Sequence, residues 1–267
     1  MNAVQQLYQY RVSLSTTTYK SRGQRVIRCE LCRLAQTHCV CSISPTKVSA
    51  DIVQKSQADS GLDSSAGFLL LMYDTEVMKP SNTGKLIADL VKDTYAFLWS
   101  RTVENPELLA VLADKQWQPY VVFPAQYAQE NQQVIQDKVV CPEGKRPLFI
   151  MLDGSWREAK KMFRKSPYLS GFPIVSFDPQ LALPDMIENE PLTSRYQIRL
   201  SSVDNQFATA EVAARVLAMA GEPKRAQLLD LWFDVFSYQY QKSVCQTNKG
   251  NPQAIDNYQA YIKEITN

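Results

Sequence analysis

The chain has 267 residues, 45% hydrophobic and 21% charged, which fits a globular protein of one large or two modest domains and argues against wholesale disorder. Lys and Arg number 29 against 27 Asp and Glu, so any basic surface must come from clustering rather than excess. No apolar run approaches the ~18 residues of a membrane span, and the first residues lack the charged start and apolar stretch of a signal peptide. A soluble cytoplasmic protein without membrane contact is therefore expected; the oligomeric state does not follow from these features, and a monomer is assumed.

Two absences narrow the chemistry. His38 is the only histidine, which leaves little room for a Ser-His-Asp or Cys-His hydrolase and none for metal centres with two or three His ligands. No two of the nine glycines lie within five residues of each other, which removes the Rossmann G-x-G-x-x-G and the P-loop.

In chain order, residues 1–28 are polar and basic and read as an arm. Cys29, Cys32, Cys39 and Cys41 follow within thirteen residues. Four thiolates at such short range suit a tetrahedral Zn²⁺ with Zn–S bonds of ~2.3 Å, and four protein ligands leave no open position, so the metal is structural. An iron–sulfur cluster satisfies the ligand type as well, whereas disulfides are disfavoured without a signal peptide. Lys20, Arg22, Arg25, Arg28 and Arg33 surround the cluster and would offset its negative charge or meet phosphate. His38 is assigned to solvent or an RNA phosphate, and Cys141 and Cys245 to ordinary thiols. Residues 1–45 form the arm and zinc module on this reading, and residues 46–267 a larger α/β domain.

Residues 65–73 predict an apolar strand, and Asn82 or Thr83 caps a helix carrying Leu86, Leu90, Val91, Thr94, Phe97 and Leu98 on one face. A helix over 106–115, strands over 119–124, 147–153, 172–178 and 195–200, and helices over 209–220 and 223–243 with Gly221 as a C-cap complete the pattern. Alternating strands and helices predict an α/β fold with a mainly parallel sheet flanked by helices.

The strand ending in Leu152-Asp153 runs directly into Gly154-Ser155-Trp156. Ser155 and Glu158 form an S-x-x-E capping box. Asp153 therefore lies at the carboxyl end of a strand, where open α/β sheets bind ligands, beside helix amides suited to an anion. The helix carries Arg157, Lys160, Lys161, Arg164 and Lys165 on one face. Such a face is commonly just solvated, but five like charges are better stabilised by a polyanion. Asp153 itself could equally be a turn residue on spacing alone.

Four pieces in order then resemble one family. These are the cysteine cluster, Glu76-Val77-Met78-Lys79-Pro80-Ser81-Asn82-Thr83-Gly84, Asp153-Gly154-Ser155-Trp156, and Ser194-Arg195-Tyr196-Gln197-Ile198-Arg199 with Thr209-Ala210-Glu211. Together they resemble the DTW-domain proteins, enzymes similar to the tRNA-uridine aminocarboxypropyltransferase. Ser155 stands in place of the commoner Thr and Tyr73 where a His is often found. The resemblance implies a SPOUT-like fold with a knotted C-terminal half and S-adenosylmethionine as co-substrate. It also implies transfer of the 3-amino-3-carboxypropyl group to N3 of a tRNA uridine. On that basis Asp153 is the expected general base, although an ordinary Asp has a pKa near ~3.9. Leu152, Gly154, Ser155, Trp156, Arg199, Thr209 and Glu211 are expected at the cofactor. Arg157, Lys160, Lys161, Arg164, Lys165 and Arg195 are expected at tRNA. The rival readings are an RNA methyltransferase of similar fold and a non-catalytic zinc-containing RNA-binding protein.

Overall fold

The structure is a computed structural model that describes residues 1–16, 25–47, 65–177, 195, 207–245 and 247–266. In chain order the elements are α1 (Ala3–Ser13), β1 (Gly67–Met72), α2 (Gly84–Leu90), β2 (Thr94–Leu98), α3 (Pro106–Ala113), β3 (Trp117–Val122), β4 (Val134–Ile135), β5 (Arg146–Asp153), α4 (Trp156–Arg164), β6 (Ile174–Val175), α5 (Thr209–Met219), α6 (Pro223–Val244) and α7 (Ala254–Thr266).

Six strands form one sheet in the order β2-β1-β5-β3-β6-β4, and each neighbouring pair is parallel. The apolar run of β1 follows from this. Phe68, Leu70 and Met72 enter the core under α2, α5 and α6, while Leu69 and Leu71 enter the opposite core under α3 and α4. A strand covered on both faces needs apolar residues at every position, and its sequence shows no alternation. Strand β5 is divided the same way, with Phe149 and Met151 on the first side and Leu148 and Ile150 on the second. The expected α/β class with a parallel, helix-flanked sheet is what the structure shows.

Four expectations differ in detail. The helix expected from Asn82 through Leu98 stops at Leu90, and Thr94–Leu98 is the edge strand β2. The break falls at Lys92-Asp93, where Thr94 N donates to Lys92 O at 2.9 Å. The Thr94, Phe97, Leu98 spacing that mimics a helical stripe belongs to a strand rich in β-branched and aromatic residues. The expected arm begins as a helix. Asn2 Oδ1 accepts from Gln5 N and Gln5 Oε1 from Asn2 N, each at 3.0 Å, a reciprocal cap. Val4 enters the first core, and Arg11 grips Asp74 through Nε at 2.5 Å and Nη2 at 2.9 Å. Helix α7, which the sequence pattern does not announce, covers α6, with Trp232 and Tyr258 ring centroids 5.2 Å apart. Strand β6 spans two residues of the expected 172–178, and the strand expected over 195–200 lies, apart from Arg195, outside the described residues.

Gly221 takes φ +83° after α5, as a helix C-terminus requires. Among the described residues, no helix is long and apolar enough to cross a membrane.

Candidate functional site and metal centre

The cysteine cluster folds as a knuckle. Cys29 N donates to Leu34 O at 2.8 Å and Arg33 N to Cys29 O at 3.0 Å. Arg33 adopts φ +63° to close the turn, an uncommon conformation for a residue with a side chain, and its guanidinium is held 3.6 Å over the Tyr8 ring. Leu34 and Val40 are buried in the same core as Phe68 and Trp232, so the knuckle is anchored to the sheet domain.

The four sulfur atoms lie within 4.8 Å of one another. Cys29 Sγ and Cys41 Sγ are 3.7 Å apart, and Cys32 Sγ and Cys39 Sγ 3.8 Å. Tetrahedral Zn–S bonds of ~2.3 Å require S···S separations of roughly 3.8 Å. The donor set fits one ion better than a cluster whose cysteines would bind separate irons. Arg28 Nη2 and Arg33 Nη1, next in sequence to Cys29 and Cys32, are buried without a hydrogen-bond partner among the described residues, and the guanidinium of Arg28 lies 5.6 Å from the Tyr240 ring centroid.

Asp153 is 2% exposed. As the last residue of β5 it sits opposite Met72 of β1, on the face toward α2 and α5. Its Oδ2 accepts from Asn82 Nδ2 at 2.7 Å and its Oδ1 from the Thr209 hydroxyl at 2.7 Å. Asn82 also reaches Glu76 Oε1 at 3.4 Å, and Glu76 Oε2 pairs with Lys79 Nζ at 2.5 Å. Gly84 opens α2 so close that a Cβ there would lie 2.7 Å from Asp153 Oδ2. A buried polar loop, with Glu76, Ser81, Asn82 and Thr83 all under 9% exposed, thus wraps the end of the central strands. This is the crevice where strand order reverses, β1 connecting outward to β2 and the chain then crossing to β3. Local sequence signals point to Asp153 but mark Asn82 and Thr83 only as helix caps, Thr209 enters only through its family-like stretch, and Glu76 carries no signal of its own. The Glu76–Gly84 stretch that resembles the family is what could have found them.

The other expected positions divide into groups. Leu152 points to the opposite core. Ser155 and Glu158 form the expected capping box, with Ser155 N to Glu158 Oε2 at 2.8 Å and Glu158 N to Ser155 Oγ at 3.4 Å, so part of the α4 amino terminus is satisfied internally. Trp156 belongs to an aromatic cluster, stacked on Phe123 at 5.4 Å and edge-on to Tyr127 at 5.7 Å. Glu211 is buried and accepts from Ala208 N at 2.7 Å and Arg195 N at 2.8 Å. Arg195 is committed to acids. Its Nη2 meets Asp230 at 2.9 Å and its Nη1 meets Asp234 at 2.8 Å. Burial pushes the Asp234 carboxyl up to about 6 against the pull of Arg195. Arg199 lies outside the described residues.

Arg157, Lys160, Lys161, Arg164 and Lys165 form no ion pair among the described residues. Ala159 and Met162 are buried beneath them. Lys161 Nζ stands 5.6 Å and 5.5 Å from the centroids of Tyr73 and Trp99, rings that stack on each other at 5.8 Å. This face begins at the turn that follows Asp153.

A family model described as the DTW domain matches residues 26–241. No solved structure matches the chain.

Proposed function

The chain belongs to the DTW-domain family, and from that premise we propose that it modifies tRNA, transferring the 3-amino-3-carboxypropyl group of S-adenosylmethionine to N3 of a uridine. The supporting observation is Asp153, buried at the carboxyl edge of a parallel sheet and held from two sides by Asn82 and Thr209. A SPOUT-like knotted C-terminal half and a structural Zn²⁺ on Cys29, Cys32, Cys39 and Cys41 belong to the same proposal.

The co-substrate supplies a sulfonium with three electrophilic carbons. Transfer forms the N3–carbon bond, breaks the bond from sulfur to the methylene, and releases 5′-methylthioadenosine and the N3 proton. The donor set is suited to such a ligand, which carries cationic sulfonium and ammonium groups. Glu76 and Asp153 are buried carboxylates joined through Asn82, and Thr209 bonds Asp153 from α5; Glu211, Gly154 and Ser155 are assigned to the same ligand. Asp153 is the acceptor assigned to the N3 proton. Held by donors at both oxygens, it is assigned to orient N3 and to hold its proton in a shielded hydrogen bond as much as to remove it.

Arg157, Lys160, Lys161, Arg164 and Lys165 are assigned to the tRNA backbone, which they would position without reading bases. Replacing Lys160, Lys161, Arg164 and Lys165 by Gln is expected to weaken tRNA binding and flatten its salt dependence. The log–log slope should fall by ~0.7–0.9 for each phosphate that is no longer neutralised. Filter binding across a salt series measures this, and an unchanged slope removes the face from the interface.

The reaction is tested by incubating the protein and unmodified tRNA with S-adenosylmethionine labelled separately in the methyl and carboxyl groups. Carboxyl label in RNA with methylthioadenosine released is the expected result. Methyl label in RNA would make the protein a methyltransferase, and neither label would leave it a binding protein.

A further inference from the structure

One buried side chain joins the metal knuckle to the Asp153 crevice. Lys85, in the first turn of α2, is 7% exposed. Its ammonium donates to Cys32 O at 2.6 Å and to Pro80 O at 3.1 Å, and it lies 4.3 Å from the centroid of the Phe236 ring. It forms no ion pair among the described residues. Asp89 attracts it from farther off and is itself held by Asn2 and Trp232. The Lys85 amide donates to Asn82 Oδ1 at 3.3 Å, and Asn82 Nδ2 donates to Asp153 Oδ2 at 2.7 Å. The same residue therefore holds a carbonyl of the knuckle, a carbonyl of the polar loop and the side chain that orients Asp153.

A lysine in that position needs a reason. Burying an ammonium without a carboxylate in direct contact is costly, and a methionine of similar length would fill the space without that cost. Two carbonyls and a ring face offset part of it. The rest is supplied if Cys32 and its three neighbours hold a divalent ion as thiolates, because four such ligands leave a net double negative charge beside the ammonium. The contact is also geometrically specific. Cys32 O is a backbone atom of a metal-binding residue, so its place depends on the knuckle being closed around the ion.

We propose that Lys85 is a positioning residue that couples metal occupancy of the four-cysteine centre to the polar loop, so that closure of the knuckle fixes Asn82 and, through it, Asp153. Without the ion the knuckle loosens, Cys32 O leaves the ammonium, and the side chain that also holds Pro80 O of the loop is no longer fixed from the knuckle side. Its consequence for transfer rests on the function proposed above, whereas the coupling itself is a property of the fold.

Hydrogen exchange read by mass spectrometry on the full-length protein tests it. Four samples form a cycle, namely wild type and Lys85→Met, each zinc-loaded and each stripped with a chelator, with zinc content measured in all. Peptides covering residues 76–86 are expected to exchange about tenfold faster in stripped wild type and in zinc-loaded Lys85→Met, a typical size for coupling between sites. Stripping the variant adds little more, because the connection is already cut. Peptides from α3, across the sheet, stay unchanged. Unchanged exchange over 76–86 on stripping, fully additive effects, or a purified protein that takes up no zinc would each overturn the coupling. Should Lys85→Met fail to fold, stripped wild type and Cys39→Ser decide alone, with unchanged loop exchange as the negative result. In the transfer assay, zinc-loaded Lys85→Met loses kcat and keeps its KM for tRNA. Coupled exchange without any transfer would sink the proposed activity and leave this inference standing.

Discussion

Asp153→Asn is expected to lower the transfer rate by about 10²–10⁴-fold, the range for losing a positioned proton acceptor, while leaving the melting temperature nearly unchanged. The amide has the shape of the carboxylate, and its oxygen still accepts from Asn82 while its NH₂ turns to the Thr209 oxygen, which accepts as readily as it donates. The charge is lost but the packing is kept. Asp153→Ala is less informative, because it leaves the Asn82 and Thr209 donors facing a gap and costs about 1–3 kcal/mol of stability for each buried group that finds no other partner. Single-turnover transfer with the Asn variant decides the role. A normal rate would remove Asp153 from the chemistry. A fall in kcat at unchanged KM would place it in the transition state rather than in ground-state binding.

Gly84→Ala carries the second large effect, and its sign is opposite to the naive expectation. In a helix, Ala is favoured over Gly by about 1 kcal/mol, so a helix-opening glycine with nothing nearby gains stability from the change. Here the added Cβ would lie 2.7 Å from Asp153 Oδ2 and 3.3 Å from Asn82 Oδ1. Neither atom belongs to a long flexible side chain. The carboxylate is short and bonded at both oxygens, and Asn82 is bonded to it and to the Lys85 amide. The crowding is expected to cost about 1–3 kcal/mol. A displacement of about 1 Å at the acceptor is expected to lower transfer by roughly 10²-fold. Chemical denaturation and the transfer assay measure the two effects, and an alanine variant as stable and active as wild type would show that the loop shifts freely.

Much of this site is legible in the residues alone. The Cys29–Cys41 spacing, the Ser155/Glu158 cap, the basic face of α4 and the placement of Asp153 at a strand end all rest on residues a few positions apart. Thr94–Leu98 misleads for the converse reason. A short edge strand whose residues reach both cores and a helix stripe share the same apolar spacing over five residues, and only pairing with β1 separates them. Helix α1 is hidden because its polar surface masks the few residues, Val4 among them, that reach the core.

Arg195 shows the limit most directly. As a basic residue in a family-like stretch it points to tRNA, yet its guanidinium meets Asp230 and Asp234, acids more than thirty positions away on α6. Nothing local signals that pairing. The same holds for Asp153, whose partners are 71 and 56 residues distant, and for Lys85, which holds a carbonyl 53 positions earlier. The sequence by itself determined most of the elements and the grouping of four cysteines that could hold one ion, because these depend on periodicity, capping and spacing along the chain. Only the tertiary structure decided which side chains share the crevice, because parallel crossovers bring strand ends and helix starts together across long loops. The partners of a buried polar group are then set by sheet register and helix packing rather than by its neighbours in sequence.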